Sequence, residues 1–125
     1  MLQIHHHDQD VVEIRLDRPP VNALNPALVA ALDAAIVEQT KAGAKALVLS
    51  GRPGLFSAGL DVPELLKLDE QGMREFWRLL FGLLEHVAAS PVPIAMALTG
   101  HRPAGGTVIA LYADYRVQAE GDFRL

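Results

Sequence analysis

Residues 94–117 read IAMALTGHRPAGGTVIALYADYRV, and the order of the parts within them sets the architecture. Ile94 to Leu98 is a short apolar run without alternation, set between Pro93 and Gly100, as expected of a strand covered on both faces. Gly100 opens the loop HRPAGG, and residues 107–117 predict a buried helix running into a further strand. Strand, glycine-rich loop and helix in that order belong to an α/β architecture.

The same succession stands upstream. ALVLS (46–50) is another unalternating apolar run, and GRPGLFSAG (51–59) is a glycine-punctuated loop leaving its carboxyl end. Asp61, with Glu64 three residues later and Leu65 and Leu66 beyond, predicts a capping-box helix start. A helix from about Met73 to Ala89 places Phe76, Leu80, Leu83, Leu84 and Val87 on one stripe, with Pro91 and Pro93 ending it. Nearer the amino terminus, Val12, Ile14 and Leu16 alternate with Glu13 and Arg15, the pattern of a half-buried strand that stops at Pro19-Pro20. Asn25 as N-cap and Pro26 at the first helical position then start a helix carrying Leu28, Leu32, Ala35 and Ile36, with Gly43 past its end. No linker or low-complexity tract divides residues 1–125, so one α/β domain is expected.

Half of the 125 residues are hydrophobic, enough for a buried core. The absence of cysteine excludes disulfides, zinc-thiolate sites and thiol nucleophiles, and suits a reducing compartment. Net charge is -4, with acids spread among bases and no basic stripe, so nucleic acid is not an expected partner. No basic stretch followed by an apolar one opens the chain, and no window reaches the roughly 20 apolar residues of a membrane span. A soluble, cytoplasmic protein with no membrane partner is the expectation. His5, His6 and His7 would point to alternate faces of an extended segment; they read as the polar start of an edge strand, and no metal site is expected.

The chemistry is expected where FSAGLD and RPAGG leave two buried strands, the edge at which open α/β sheets bind ligands. Glycines there let a backbone N–H approach a ligand, and two converging amides at a helix start can hold a developing negative oxygen. One such donor is worth about 3 to 4 kcal/mol of transition-state stabilisation. Glycines at helix starts also serve as tight turns or packing points, and the residues alone leave both readings open.

RPPVNALN, FSAGLDVPEL and PVPIAMALTGHRPAGG followed by ALYADYRV together resemble the crotonase (enoyl-CoA hydratase/isomerase) superfamily, in order and at family-like separations, over residues 10–125. The resemblance implies a crotonase-like spiral of β-β-α units, incomplete at the carboxyl end, and an acyl-CoA thioester as the bound partner. It implies no cofactor, since coenzyme A is part of the substrate, and homo-trimers or hexamers in the full-length protein. Carried over by position, it implies oxyanion-hole N–H groups at Leu60 and Gly105. It puts the adenine-contacting carbonyl at Ala58, with Gly59 and Asp61 in the same substrate-binding segment, Asp61 mainly as an N-cap. Val21, Asn22 and Ala23 match the loop lying along the coenzyme A pantetheine and nucleotide.

Departures narrow the expectation. Hydratases of the family pair two glutamates, because adding water across a double bond uses paired acid and base. The first of those positions is Val108 here, which cannot transfer a proton. PAGGTVIALYADYR is instead similar to the Δ3,Δ2-enoyl-CoA isomerases, which need one base. By resemblance that base is a glutamate a few residues beyond Leu125. Isomerisation of a 3-enoyl-CoA in fatty-acid metabolism is therefore the leading expectation, with a hydratase, thioesterase or decarboxylase, or a non-catalytic coenzyme A-binding remnant, as alternatives.

Glu64 could substitute as a base, but capping explains it more simply; Glu120 and Asp122 read as solvated turn charges. His86 and His101 read as structural, Ser57 is in no GxSxG elbow, and PAGG is not the GxGxxG of a dinucleotide site. An exposed apolar patch is expected on the chain by itself.

Overall fold

The computed structural model describes residues 1–125. Its main sheet has five strands, which in spatial order are β1 (Leu2–His6), β2 (Val11–Leu16), β3 (Ala46–Ser50), β5 (Ile94–Leu98) and β7 (Tyr115–Gln118). β1 is the antiparallel edge, pairing Leu2 with Leu16; the other pairs are parallel, with Leu47 opposite Ile94 and Leu98 opposite Gln118. Inward residues of β2, Val12, Ile14 and Leu16, are buried while their neighbours are half-exposed, as the alternation requires. His5 and His7 stay at the edge, bonded to Gln3 and Glu13.

Between β2 and β3 runs α1 (Pro26–Lys41). Asn25 caps it by accepting the Leu28 N–H at 2.8 Å, and Pro26 sits at the first helical position, where a missing N–H costs nothing. Its buried face, Leu28, Val29, Leu32, Ala35 and Ile36, packs on α3 (Glu70–Ala88), which offers Phe76, Leu80, Leu83, Leu84 and Val87. α3 begins three residues earlier than the apolar stripe suggests, because Asp69 caps it by accepting the Gly72 N–H at 2.7 Å. A one-turn helix, α2 (Val62–Leu65), comes directly after Asp61.

Two elements lie where the sequence reads as plain loop. β4 (Gly54–Leu55) and β6 (Gly100–His101) pair in parallel as a second, two-stranded sheet. Two residues containing a glycine carry no periodicity, so nothing local announces them. The pairing is close: a Cβ on Gly100 would stand 2.0 Å from the Gly54 carbonyl carbon, so position 100 admits no side chain. Each half thus repeats a pattern of long strand, short strand and helix, β3-β4 leading to α2 and α3, and β5-β6 leading to α4 (Gly105–Tyr112).

Residues 107–117 do run from a helix into a strand, but the expected burial of that helix needs correction. α4 starts at Gly105 and buries one side only, through Ile109 and Ala110, while Val108, Leu111 and Tyr112 are exposed and every residue of β7 is exposed. Nothing within the 125 residues packs on that face. With Trp77 and Phe81 of α3 it supplies the exposed apolar surface expected of the chain by itself.

Candidate functional site

Phe56 to Asp61 and His101 to Gly106 are the two loops that leave the main sheet, and they meet. Gly59 adopts φ +91°, and a Cβ there would stand 2.8 Å from the Pro103 carbonyl oxygen and 3.4 Å from the Gly105 nitrogen. Glycine is required because the second loop occupies the space a side chain would take. A Cβ on Gly105 would in turn lie 2.8 Å from Leu24 Cδ1 and 3.6 Å from Gly59 Cα.

The backbone around Leu60 aims its amide outward. Leu24 donates to the Gly59 carbonyl at 2.7 Å and accepts from the Asp61 N–H at 2.9 Å, a parallel bridge that straddles Leu60. The residue between two such bonds directs its own N–H away from the partner strand. Neither the Leu60 nor the Gly105 N–H has an acceptor within the protein. Gly105 is free for a different reason: it is the first residue of α4, where helix amides have no internal partner.

Pro103 to Gly106 form a turn closed by the Gly106 N–H on the Pro103 carbonyl at 3.2 Å, with Ala104 at φ +49°, ψ −109°. That is the first central position of a type II′ turn, usually glycine, so Ala104 carries backbone strain at the point where the Gly105 amide is presented. Leu60, Ala104, Gly105 and Val108 line one apolar cavity of about 220 Å³, closed by Trp77, Leu80, Phe81 and Leu84 of α3. No ionisable side chain lines it. On the other side of the turn a hollow of about 380 Å³ is bounded by Leu55, Ala58, His101, Pro103 and Arg124. The largest hollow, about 410 Å³ between α1 and the end of α3, shares no residue with either loop.

The 18–25 segment is the frame of the first loop. Asn22, at φ +50° and 2 % exposed, accepts the Arg18 N–H at 2.8 Å and donates through Nδ2 to the Leu16 and Phe56 carbonyls. Ser57 Oγ donates to the Asn22 carbonyl at 2.8 Å and accepts the Gly59 N–H at 3.1 Å, while the Ala58 N–H donates to Val21. The Asn22 side chain is therefore taken up by main-chain partners, whereas Val21 is exposed and Ala23 half-buried beside it.

Asp61 caps α2 by accepting the Glu64 N–H, but Glu64 does not return the bond: its two oxygens take Arg18 and Asn25, each at 2.8 Å. Glu64 is thereby tied down outside the cavity and is no substitute base. Hydrogen bonding to Arg18 holds the Asp61 carboxyl below its ordinary value, against the opposing effect of burial. Sequence reading assigns no such roles to Arg18 and Ser57, since the Asp61, Glu64 and Asn22 groups they bond lie 35 or more residues away and leave no local signal.

Residues 6–122 match the profile of the enoyl-CoA hydratase/isomerase family. The chain is 30% identical over 112 residues to rat "Enoyl-CoA delta isomerase 1, mitochondrial", covering 88% of this chain and 39% of that protein. It is 34% identical over 114 residues to "Probable enoyl-CoA hydratase EchA17" of Mycobacterium tuberculosis, covering 90% and 44%. Among solved structures, human mitochondrial delta3-delta2-enoyl-CoA isomerase superposes with a TM-score of 0.86 at 27% identity, over 92% of this chain and 46% of that one. An enoyl-CoA hydratase/isomerase family protein of Pseudomonas syringae gives 0.88 at 29% identity, over 98% and 52%. The chain spans about two fifths of the length of the curated relatives it matches.

Proposed function

This chain belongs to the enoyl-CoA hydratase/isomerase family, and from that premise we propose that its full-length protein moves the double bond of a 3-enoyl-CoA to the 2-position. The reading is carried by one observation: two acceptor-free amides, Leu60 and Gly105, border one apolar cavity that also contains Val108. In the proposed reaction the thioester oxygen accepts both N–H groups. A base outside this chain, a glutamate by family resemblance, takes a proton from C2 and returns it at C4. Negative charge gathers on the thioester oxygen between the two steps, where fixed amides need no reorganisation to stabilise it. Val108 leaves no second acid for water addition, which favours isomerisation over hydration.

In the same proposal the hollow beside Ala58 takes the nucleotide end of coenzyme A, with Arg124 at its rim, and coenzyme A enters only as part of the substrate. Trimeric or hexameric assembly and a cytoplasmic setting complete it; no helix is long and apolar enough to cross a membrane. A second reading, a coenzyme A thioester binder without turnover, is supported by Val108 standing where hydratases of the family carry a glutamate.

The test is purified full-length protein with 3-hexenoyl-CoA, following the absorbance of the conjugated 2-enoyl thioester, with hydration of crotonyl-CoA assayed in parallel. Isomerisation without appreciable hydration is expected. Binding without turnover selects the second reading, and neither binding nor turnover sinks both.

A further inference from the structure

His101 joins three segments that lie far apart in sequence. Its carbonyl accepts the Phe56 and Ser57 N–H groups at 2.9 and 3.2 Å, which seats the loop that leads to Leu60. The second loop, which presents Gly105, starts at His101 itself. Its imidazole meets the third segment: Nδ1 accepts the Arg124 N–H at 3.0 Å, and the ring stands edge-on to Phe123, with 5.2 Å between centroids at 88°. A backbone N–H donor makes Nδ1 the acceptor of this pair. The Arg102 N–H donates to the Arg124 carbonyl at 3.0 Å, so both polar main-chain groups of Arg124 are bonded to residues 101 and 102. The main chain of His101 thus serves the two site loops, while its side chain serves residues 123–124. Substitution can separate these roles, because it removes the side chain and leaves the main-chain bonds.

Resting on the isomerase reading, we propose that His101 is a positioning residue, whose imidazole holds the 123–124 backbone against the Gly105 loop and so sets how far the segment that follows stands from the Leu60 and Gly105 amides. In that reading the base, by family resemblance, follows Leu125 by a few residues. A base must come within about 2.6 to 3.2 Å of the group whose proton it takes. Misplacing it by about 1 Å costs on the order of a hundredfold in rate. The two amides are held by other means, the Leu24 bridge and the turn from Pro103 to Gly106. His101 touches no reacting atom; it acts through the placement of the base.

The experiment compares His101→Phe, His101→Asn and His101→Ala with the unsubstituted full-length protein. Phenylalanine keeps a ring against Phe123 and removes the acceptor; asparagine gives up the ring and keeps an acceptor, Oδ1, on the same Cγ. Three quantities are read: melting temperature, kcat on saturating 3-hexenoyl-CoA, and the pH at which saturating acetoacetyl-CoA ionises when bound, followed by its enolate absorbance. The last reports on the amides rather than on the base. Saturation keeps any change in affinity through Arg124 out of the comparison. His101→Phe is expected to lose kcat by roughly tenfold or more, with the ionisation pH unchanged and little change in melting temperature. His101→Asn recovers most of that loss. His101→Ala behaves as phenylalanine does and decides the matter if the phenylalanine variant fails to fold. Normal kcat in His101→Phe or His101→Ala, equal losses in His101→Phe and His101→Asn, or a loss accompanied by a raised ionisation pH each overturns the proposal and leaves the isomerase reading standing. Absence of turnover in the unsubstituted protein overturns the two together.

Discussion

Arg18 Nη1 lies 2.7 Å from Oδ2 of Asp61, across 43 residues of sequence, and this contact ties the 18–25 segment to the start of α2. The same guanidinium reaches Glu64 at 2.8 Å and the Ala23 carbonyl at 2.8 Å. Arg18→Met would leave two carboxylates facing each other beside the Leu60 loop. A cost of about 2 kcal/mol is expected, below that of a fully buried pair because Glu64 is partly solvated. Urea unfolding measures it; Arg18→Lys should recover only part, since one ammonium cannot serve both acids with the fork geometry.

Asn22 does two jobs, which substitutions separate. Asn22→Ala removes its buried bonds and keeps a side chain at φ +50°, so a loss of about 3 kcal/mol is expected. Asn22→Gly loses the same bonds but relieves the backbone, and should be less damaging by about 1 kcal/mol. Equal melting temperatures for the two would show that the left-handed backbone contributes nothing.

Acid should weaken the sheet at β2 through Glu13. Burial pushes its carboxyl up, but bonds from Ser50, His7 and Arg15 outweigh that and hold it at about 2, against an ordinary 4.5. Because the folded value is depressed, the stabilisation is fully present above about pH 4.5 and is lost as pH falls toward 2. Melting temperature measured across that window should fall for the original chain and fall less steeply for Glu13→Gln.

Gly105 offers a test in which the added Cβ is common to both variants. Alanine and proline each place a Cβ near Leu24 Cδ1, and the first turn of a helix accepts proline; only proline removes the N–H. In the full-length protein, Gly105→Pro should lose turnover of 3-hexenoyl-CoA by about a hundredfold more than Gly105→Ala, while both still bind coenzyme A thioesters. Similar rates for the two variants would remove Gly105 from the proposed chemistry.

Alternation at 12–16, the caps Asn25 and Asp61, the stripe on α3 and the proline stops are all local, so the main-sheet strands and helices are legible from the residues. β4 and β6 are not, because two-residue strands exist only through each other. The half-exposed state of α4 is likewise beyond local reading, since the same apolar residues suit one buried face or two.

The order of residues is enough to establish that two glycine-bearing loops, FSAGLD and RPAGG, leave buried strands for helix starts, because strand, turn and cap signals depend on residues a few positions apart. It took the packed molecule to bring Gly59 against Gly105 and to commit Glu64 to Arg18 and Asn25. Those are pairings across 39 or more residues, and partner choice is set by the whole fold at once.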